Sequence, residues 1–148
     1  MTLMHTRNGR PDDLDAILKL YRQWMAEENT IALSAPSRQQ IKDWPSNLLM
    51  VAEADGAIVG FAHAVSRVKA ELGIFPTGTP YLDVDSVYVD AAWRNQGIGG
   101  QLLDAVMELG QQAGIERCYV FSAANDQRSI VRFYEQHGFQ PWGVLLFR

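Results

Sequence analysis

Residues Arg94-Asn95-Gln96-Gly97-Ile98-Gly99-Gly100 join a stretch that reads as a strand to one that reads as a helix. Upstream, Tyr81 to Asp90 is rich in valine and tyrosine, whose branched or aromatic side chains suit a pleated surface. Downstream, Ile98, Leu102, Val106, Leu109 and Ala113 recur at helical spacing, with Gln101, Asp104, Glu108 and Gln112 on the opposite face. Gly110 weakens that helix on propensity alone, by about 1 kcal/mol relative to alanine. Ile115 to Ser122 then reads as a second strand. Strand, helix and strand in this order predict a β-α-β unit with parallel neighbouring strands and a right-handed crossover.

The turn itself suits an anion. The first amides of a helix lack internal partners and lie at the positive end of the helix dipole. Glycine removes the Cβ atoms that would hold an anion off, and Arg94 adds a cation suited to phosphate. Two familiar phosphate cradles are excluded by spacing. A dinucleotide fingerprint needs glycine three residues after Gly99, where Leu102 stands, and a P-loop needs a Gly-Lys-Ser/Thr triplet that the chain lacks. The residues therefore predict a pyrophosphate cradle; the plainer reading is a glycine-rich joint between strand and helix.

The rest of the chain extends this architecture. Met4 to Asn8 is a short candidate strand. From Asp12 to Glu28 the pattern is helical, with Leu14, Ile17, Leu18, Tyr21, Trp24 and Met25 on one face; Pro11, Asp12, Asp13 and Asp15 suit its start. Ser37-Arg38-Gln39-Gln40 has the serine and glutamine of a capping box and opens a short helix that Pro45 must end. Leu48 to Ala54 and Ala57 to Val68 read as strands, and Asp55-Gly56 between them is a type I′ hairpin signal. Lys69 to Pro80 carries Gly73, Pro76, Gly78 and Pro80 and reads as a long loop of the kind often tied to function. Arg128 to His137 reads as a helix closed by Gly138, and Phe139 to Phe147 as final strand material interrupted by Pro141 and Gly143. The order β-α-α-β-β-β-α-β-α-β predicts an α/β fold in one domain spanning 1–148, with a mixed six- to seven-stranded sheet and helices on both faces.

Composition narrows the function classes. The 148 residues, 47% hydrophobic and 20% charged, fit one globular domain and rule out wholesale disorder. The densest apolar run is Leu48 to Ala52, far short of the roughly 20 residues of a membrane helix. The first residues have no apolar core of a secretory signal, and one cysteine excludes an internal disulfide framework. The three histidines and Cys118 lack metal-ligand spacing, and a net charge of −4 argues against coating nucleic acid. These features predict a cytoplasmic protein, monomer or homodimer, with no metal, membrane or nucleic-acid partner.

Arg94-x-x-Gly97-x-Gly99 resembles the Q/R-x-x-G-x-G/A signature of the GCN5-related N-acetyltransferases, the GNAT family. Val84 to Asp90 ahead of it and Leu102-Leu103 behind it are similar to the same family. So is Arg132-Phe133-Tyr134-Glu135-Gln136-His137-Gly138-Phe139, which matches its F/L-Y-x-x-x-G-F motif. The resemblance covers nearly the whole chain and implies acetyl-CoA as cosubstrate. It implies that the amides of Arg94, Asn95, Gln96, Gly97, Ile98, Gly99 and Gly100 hold the pyrophosphate. It also implies that the strand before the turn bulges and splays from its parallel neighbour. The pantetheine arm would then lie in the gap as an added strand against the backbone of Val87, Tyr88 and Val89.

The implied reaction is direct acetyl transfer to a primary amine, with a backbone N–H near Val87 as the oxyanion donor. Tyr134 matches the family's tyrosine that protonates the leaving thiolate, and a phenol stays protonated up to about pH 10. Read from spacing alone, Tyr134 is equally a core residue beside Ile130, Phe133 and His137. Asp85 leads as the base, placed with Asp83 on one strand face; Glu53, His63 or a chain of waters are the other choices. Asn125 is a candidate cofactor contact although it lies nine residues before Tyr134, where the family spacing of seven falls on Gln127; it also suits a helix cap. Cys118 reads as a buried, inert thiol. Glu27, Glu28, Glu71, Asp83 and Asp85 make the expected acceptor side, Trp24 to Trp44 and Lys69 to Pro80, acidic on paper. That points to a small cationic amine, a lysine or a peptide N-terminus as acceptor. The other functional reading is a non-catalytic acyl-CoA sensor with the same cradle.

Overall fold

The computed structural model describes residues 3–46, 48–68 and 73–148, so Lys69 to Leu72 of the predicted loop, Glu71 among them, lie outside the described residues. Five strands form one sheet in sequence order. β1 (Met4–Asn8), β2 (Leu48–Ala54), β3 (Ala57–Arg67) and β4 (Tyr81–Val89) run antiparallel in succession, and β5 (Arg117–Val120) runs parallel to β4. α1 (Leu14–Ala26) and α2 (Arg38–Ile41) cover one face; α3 (Ile98–Gln112) and α4 (Gln127–Glu135) lie on the other. β2 shows why the apolar run of the sequence does not alternate. Leu49 and Val51 join Ile17, Ile41 and Phe61 under α1, while Met50, Ala52 and Ala54 join Leu102, Leu103 and Val106 under α3. A strand buried on both faces needs apolar residues throughout.

Local signals are realised as predicted at most ends. Ser37 Oγ accepts from the Gln40 N–H while the Gln40 side chain accepts from the Ser37 N–H, completing the capping box. Asp55 and Gly56 take φ of 51° and 75° in a two-residue hairpin. On α1, Leu20 is buried and Met25 exposed, a rotation of the predicted stripe by part of a turn. Arg7 grips the buried Asp13 with two hydrogen bonds of 2.8 and 2.9 Å and reaches Glu53 at 2.8 Å. Glu53, an alternative base on sequence grounds, is thereby a structural partner of Arg7 between β1 and β2.

Gly110 is where propensity and packing disagree. A Cβ there would stand 2.4 Å from Leu82 Cδ1, so α3 approaches β4 closely because this residue has no side chain. Gly110→Ala should therefore lower stability by about 1–3 kcal/mol through overpacking, where helix propensity alone would raise it. A denaturant midpoint that rises in the variant would contradict this.

One expectation is corrected. Among the described residues the sheet has five strands rather than six or seven, because residues 139–147 form no strand. Pro141 offers no N–H to a ladder, and while Phe139 packs against the core, Trp142 and Val144 to Phe147 stay exposed. The bulge expected in the strand before the turn lies in β4. Ala64 pairs with Val84 and His63 with Ser86, which leaves Asp85 as the extra residue of a β-bulge. The bulge reverses the alternation. Leu82 and Val84 face α3 before it, and Val87 and Val89 do so after it, while Ser86 and Tyr88 turn toward α1. Asp83 accepts from Arg67 Nε at 2.7 Å, while Asp85 meets His63 and Ser86 and lines the cleft.

Candidate active site

Pairing between β4 and β5 ends at Val84 and Val120, yet β4 continues to Val89. Beyond that point the edge of β4 facing β5 is unpaired among the described strands. The strands part there, as the resemblance implied, and a cleft of about 1120 Å³ opens between them. Its wall includes Val87 to Val89, Val120 at the end of β5 with residues 121–124 after it, and the start of α3. The loop after α1 closes one side, because Ile31 N–H donates to the Ala123 carbonyl and Asn125 N–H to that of Asn29.

At the head of the cleft, Asn95 and Gly97 both have positive φ, 62° and 78°, which folds the chain so that successive amides converge before α3. Among the described residues, none accepts a hydrogen bond from the backbone N–H groups of residues 95–100. A Cβ on Gly97 would meet nothing within 4 Å, so it would project into open space beside these donors. An array of unpaired amides at a helix N-terminus fits a diphosphate. Gly99 leaves only ordinary contacts with Phe133 and Val89. Gly100 has a different reason: its Cβ would stand 2.9 Å from the His137 ring, so it lets the C-terminal end of α4 approach α3. Gln96 does not line the cleft.

Arg94 lines the cleft but is already engaged. Its Nε donates to the Val89 carbonyl at 3.0 Å, its Nη2 to Glu27 Oε2 at 2.8 Å, and its guanidinium sits over the Tyr88 ring. Tyr88 donates its hydroxyl to the same Glu27 oxygen at 2.7 Å. Burial opposes ionisation of Glu27, but these hydrogen bonds outweigh it and keep the carboxyl below its usual range. The Arg94 charge is thus balanced by the end of α1, and the cradle's attraction for an anion rests on its amides.

Further along, Asp85 lines the cleft with half of its side chain exposed, while His63 behind it is 3% exposed. His63 Nδ1 lies 3.5 Å from Asp85 Oδ2, the Ser86 hydroxyl donates to that oxygen at 3.1 Å, and Tyr21 and Ser86 share a 2.6 Å hydrogen bond. The imidazole holds the Asp85 carboxyl below the usual range against the opposing effect of desolvation, and Ser86 adds to it. Trp44 stacks on His63 with ring centres 3.8 Å apart. Ser86 and Tyr21 escaped the sequence reading because their link spans 65 residues; the buried serine inside a strand was the available signal.

Tyr134 lines the cleft from the other side, held edge-on between Phe133 and Phe139 at 5.0 and 5.3 Å. Burial pushes its phenol up to about 12, and among the described residues its hydroxyl has no hydrogen-bond partner. Burial also pushes Cys118 up to about 11, which leaves an unreactive thiol, as expected. Asn125 does not line the cleft: its side chain donates to the Glu28 carbonyl at 3.0 Å and braces the loop after α1. The α4 cap is Asp126, and Gln127 also lies away from the cleft.

The acceptor side departs from the acidic face expected. Glu27 and Asp83 are each paired with arginine, Glu28 does not line the cleft, and none of the described residues 73–80 does. Trp24, Trp44 and the loop between α1 and α2 form this end instead. Among the described residues no group of histidine, cysteine and carboxylates could hold a metal ion, and no helix is long and apolar enough to cross a membrane.

Comparison with known proteins agrees with this geometry. YwnH of Bacillus subtilis, a candidate phosphinothricin acetyltransferase, is 26% identical over 147 residues, covering 95% of this chain and 86% of that protein. The mycothiol acetyltransferase of Nocardiopsis dassonvillei is 25% identical over 118 residues, covering 78% of this chain but 35% of its own length. The solved structure of AAC(6')-Iy with a bisubstrate analogue, CoA-S-monomethyl-acetylneamine, shares the fold at a TM-score of 0.76 and 21% identity, covering 99% of this chain and 97% of the other. The family model for the acetyltransferase (GNAT) family matches residues 15–139. With the glycine turn, the parted strands and the helix tyrosine in one cleft, this chain belongs to the GNAT acetyltransferase family, whose cosubstrate is acetyl-CoA.

Proposed function

We propose that the protein transfers the acetyl group of acetyl-CoA to a primary amine by direct attack within this cleft. The observation that carries the reading is the row of unpaired amides at 95–100 opening into the same cleft as Tyr134 and Asp85. Acetyl-CoA supplies an acetyl thioester. The amides of 95–100 hold its diphosphate, and the free edge of β4 at Val87 to Val89 aligns its arm. A backbone N–H of that edge faces the charge that develops on the carbonyl oxygen. Asp85 receives the incoming nitrogen and takes its proton as the C–N bond forms and the nitrogen's basicity collapses. Tyr134 gives its proton to the sulfur as the C–S bond breaks, so one proton leaves nitrogen and one reaches sulfur.

The test is release of free thiol from acetyl-CoA in the presence of amines, read together with Asp85→Asn. The variant should lose about 100-fold or more in turnover with acetyl-CoA affinity unchanged. The two side chains also set the pH dependence. Asp85 is held low, so its carboxylate is lost only as pH falls through that lowered value; Tyr134 stays protonated to about 12. Neither of these two side chains titrates between about pH 6 and about 10, so deprotonation of the free amine should make kcat/KM rise with pH without a descending limb. Amine-independent binding of acetyl-CoA with no thiol release from any acceptor would reject the enzyme in favour of a sensor.

A further inference from the structure

The acceptor end of the cleft carries its own chemical signature, and assigning a substrate class to it rests on the transferase reading. Among the described residues lining the cleft, the charged side chains are Asp85, Arg94 and Asp126. Arg94 is balanced by Glu27, and Asp126 is occupied in capping α4, where it accepts from the Ser129 N–H and hydroxyl. Asp85 is thus the carboxylate at the end near Tyr21 and Trp44 that can meet an acceptor's charge, with His63 at 3.5 Å and the Ser86 hydroxyl as its own partners. Around it aromatic and apolar side chains stand beside the neutral polar Asn29, Thr30, Ser34 and Gln40. Tyr21, Trp24 and Trp44 line this end, with Ile31 and Leu33 from the loop after α1. The rings are preset: Trp24 stacks on Tyr88 at 5.0 Å, Tyr21 lies 5.5 Å from Trp24, and the Trp24 Nε1–H is satisfied by Thr30.

We propose that the acceptor is a monoamine carried on a flat apolar body, an arylalkylamine in chemical class, with its ammonium at Asp85 and its ring against Trp24 and Trp44. A polyamine or an aminoglycoside would bring several ammonium groups to a surface with one counter-charge, leaving the others to be desolvated against indole rings. An anionic acceptor would meet no unbalanced cation among the described lining residues. Aromatic side chains reward a single cation and a planar body together.

The experiment compares tryptamine and tyramine with spermidine, kanamycin and butylamine, each with acetyl-CoA and the full chain. The two aromatic monoamines should lead spermidine and kanamycin by about tenfold or more in kcat/KM. Trp24→Leu should raise KM for tryptamine about tenfold, with KM for butylamine and the affinity for acetyl-CoA nearly unchanged. Spermidine or kanamycin ahead of the aromatic amines would overturn the acceptor class and leave the transferase standing. Equal loss for every amine in Trp24→Leu would assign Trp24 a packing role and also count against the proposal. Bound acetyl-CoA that releases thiol with none of the five amines would also overturn the acceptor class, and thiol release across a wider amine panel then decides the transferase reading. If the variant does not fold, the ranking of amines by the parent protein decides.

Discussion

Gly97→Glu should abolish measurable acetyl-CoA binding while leaving the fold intact. Gly97 has φ of 78°, a left-handed conformation that costs a residue with a side chain roughly 1–3 kcal/mol. A Cβ there would meet no atom within 4 Å, so the substitution does not press on the core. What it does enter is the space beside the unpaired amides of 95–100, where it sets bulk and a negative charge against a diphosphate. Like charges placed face to face cost several kcal/mol, so the affinity should fall by at least about 100-fold. Gly97→Ala separates the contributions: it keeps the backbone strain without the charge, and should lose about tenfold. Calorimetry with coenzyme A and a thermal melt of each variant make the comparison. Affinity within about threefold of the parent in Gly97→Glu would mean that the amides hold no phosphate.

Tyr134→Phe should behave in the opposite way, with coenzyme A affinity kept and turnover lost. The ring packs edge-on against Phe133 and Phe139, and phenylalanine retains those contacts, so stability should change little. The hydroxyl has no partner among the described residues, so its removal leaves no buried group unpaired. Only proton donation to the departing sulfur is lost, and that is typically worth about 100-fold to 10,000-fold. Because burial pushes the phenol up to about 12, the parent should show no loss of rate attributable to Tyr134 until strongly alkaline pH. Pre-steady-state thiol release is the appropriate measurement, since slow product release would hide a chemical defect. Equal single-turnover rates in variant and parent would remove Tyr134 from the chemistry and return it to the core.

Both predictions concern residues visible in the linear chain, and the reason is that their properties are local. The positive φ of Gly97, the hairpin at Asp55-Gly56, the capping box at Ser37 and the amphipathic face of α3 each depend on residues within one or two turns. So does the apolar run of β2, which announces burial on both sides. The family resemblance supplied the placement of Tyr134 and the parting of β4 from β5, and the structure agrees with both.

Charge assignment was decided elsewhere. Arg94 looks like a free cation in its own heptapeptide, yet Glu27, 67 residues away, has it. Glu53 is held by Arg7 from 46 residues away, and Asn125 is spent on the Glu28 carbonyl. A polar side chain is available to a ligand only if folding brings it no better partner, and the partners arrive from distant parts of the chain. The bulge at Asp85 is of the same kind, because a register shift belongs to two strands at once and has no signature in either. The amino-acid order by itself thus determined the helices, the turns, the glycine-rich joint and the family resemblance. Only the packing of α1 and β3 against β4 decided which carboxylate still faces the cleft and which aromatic rings surround it.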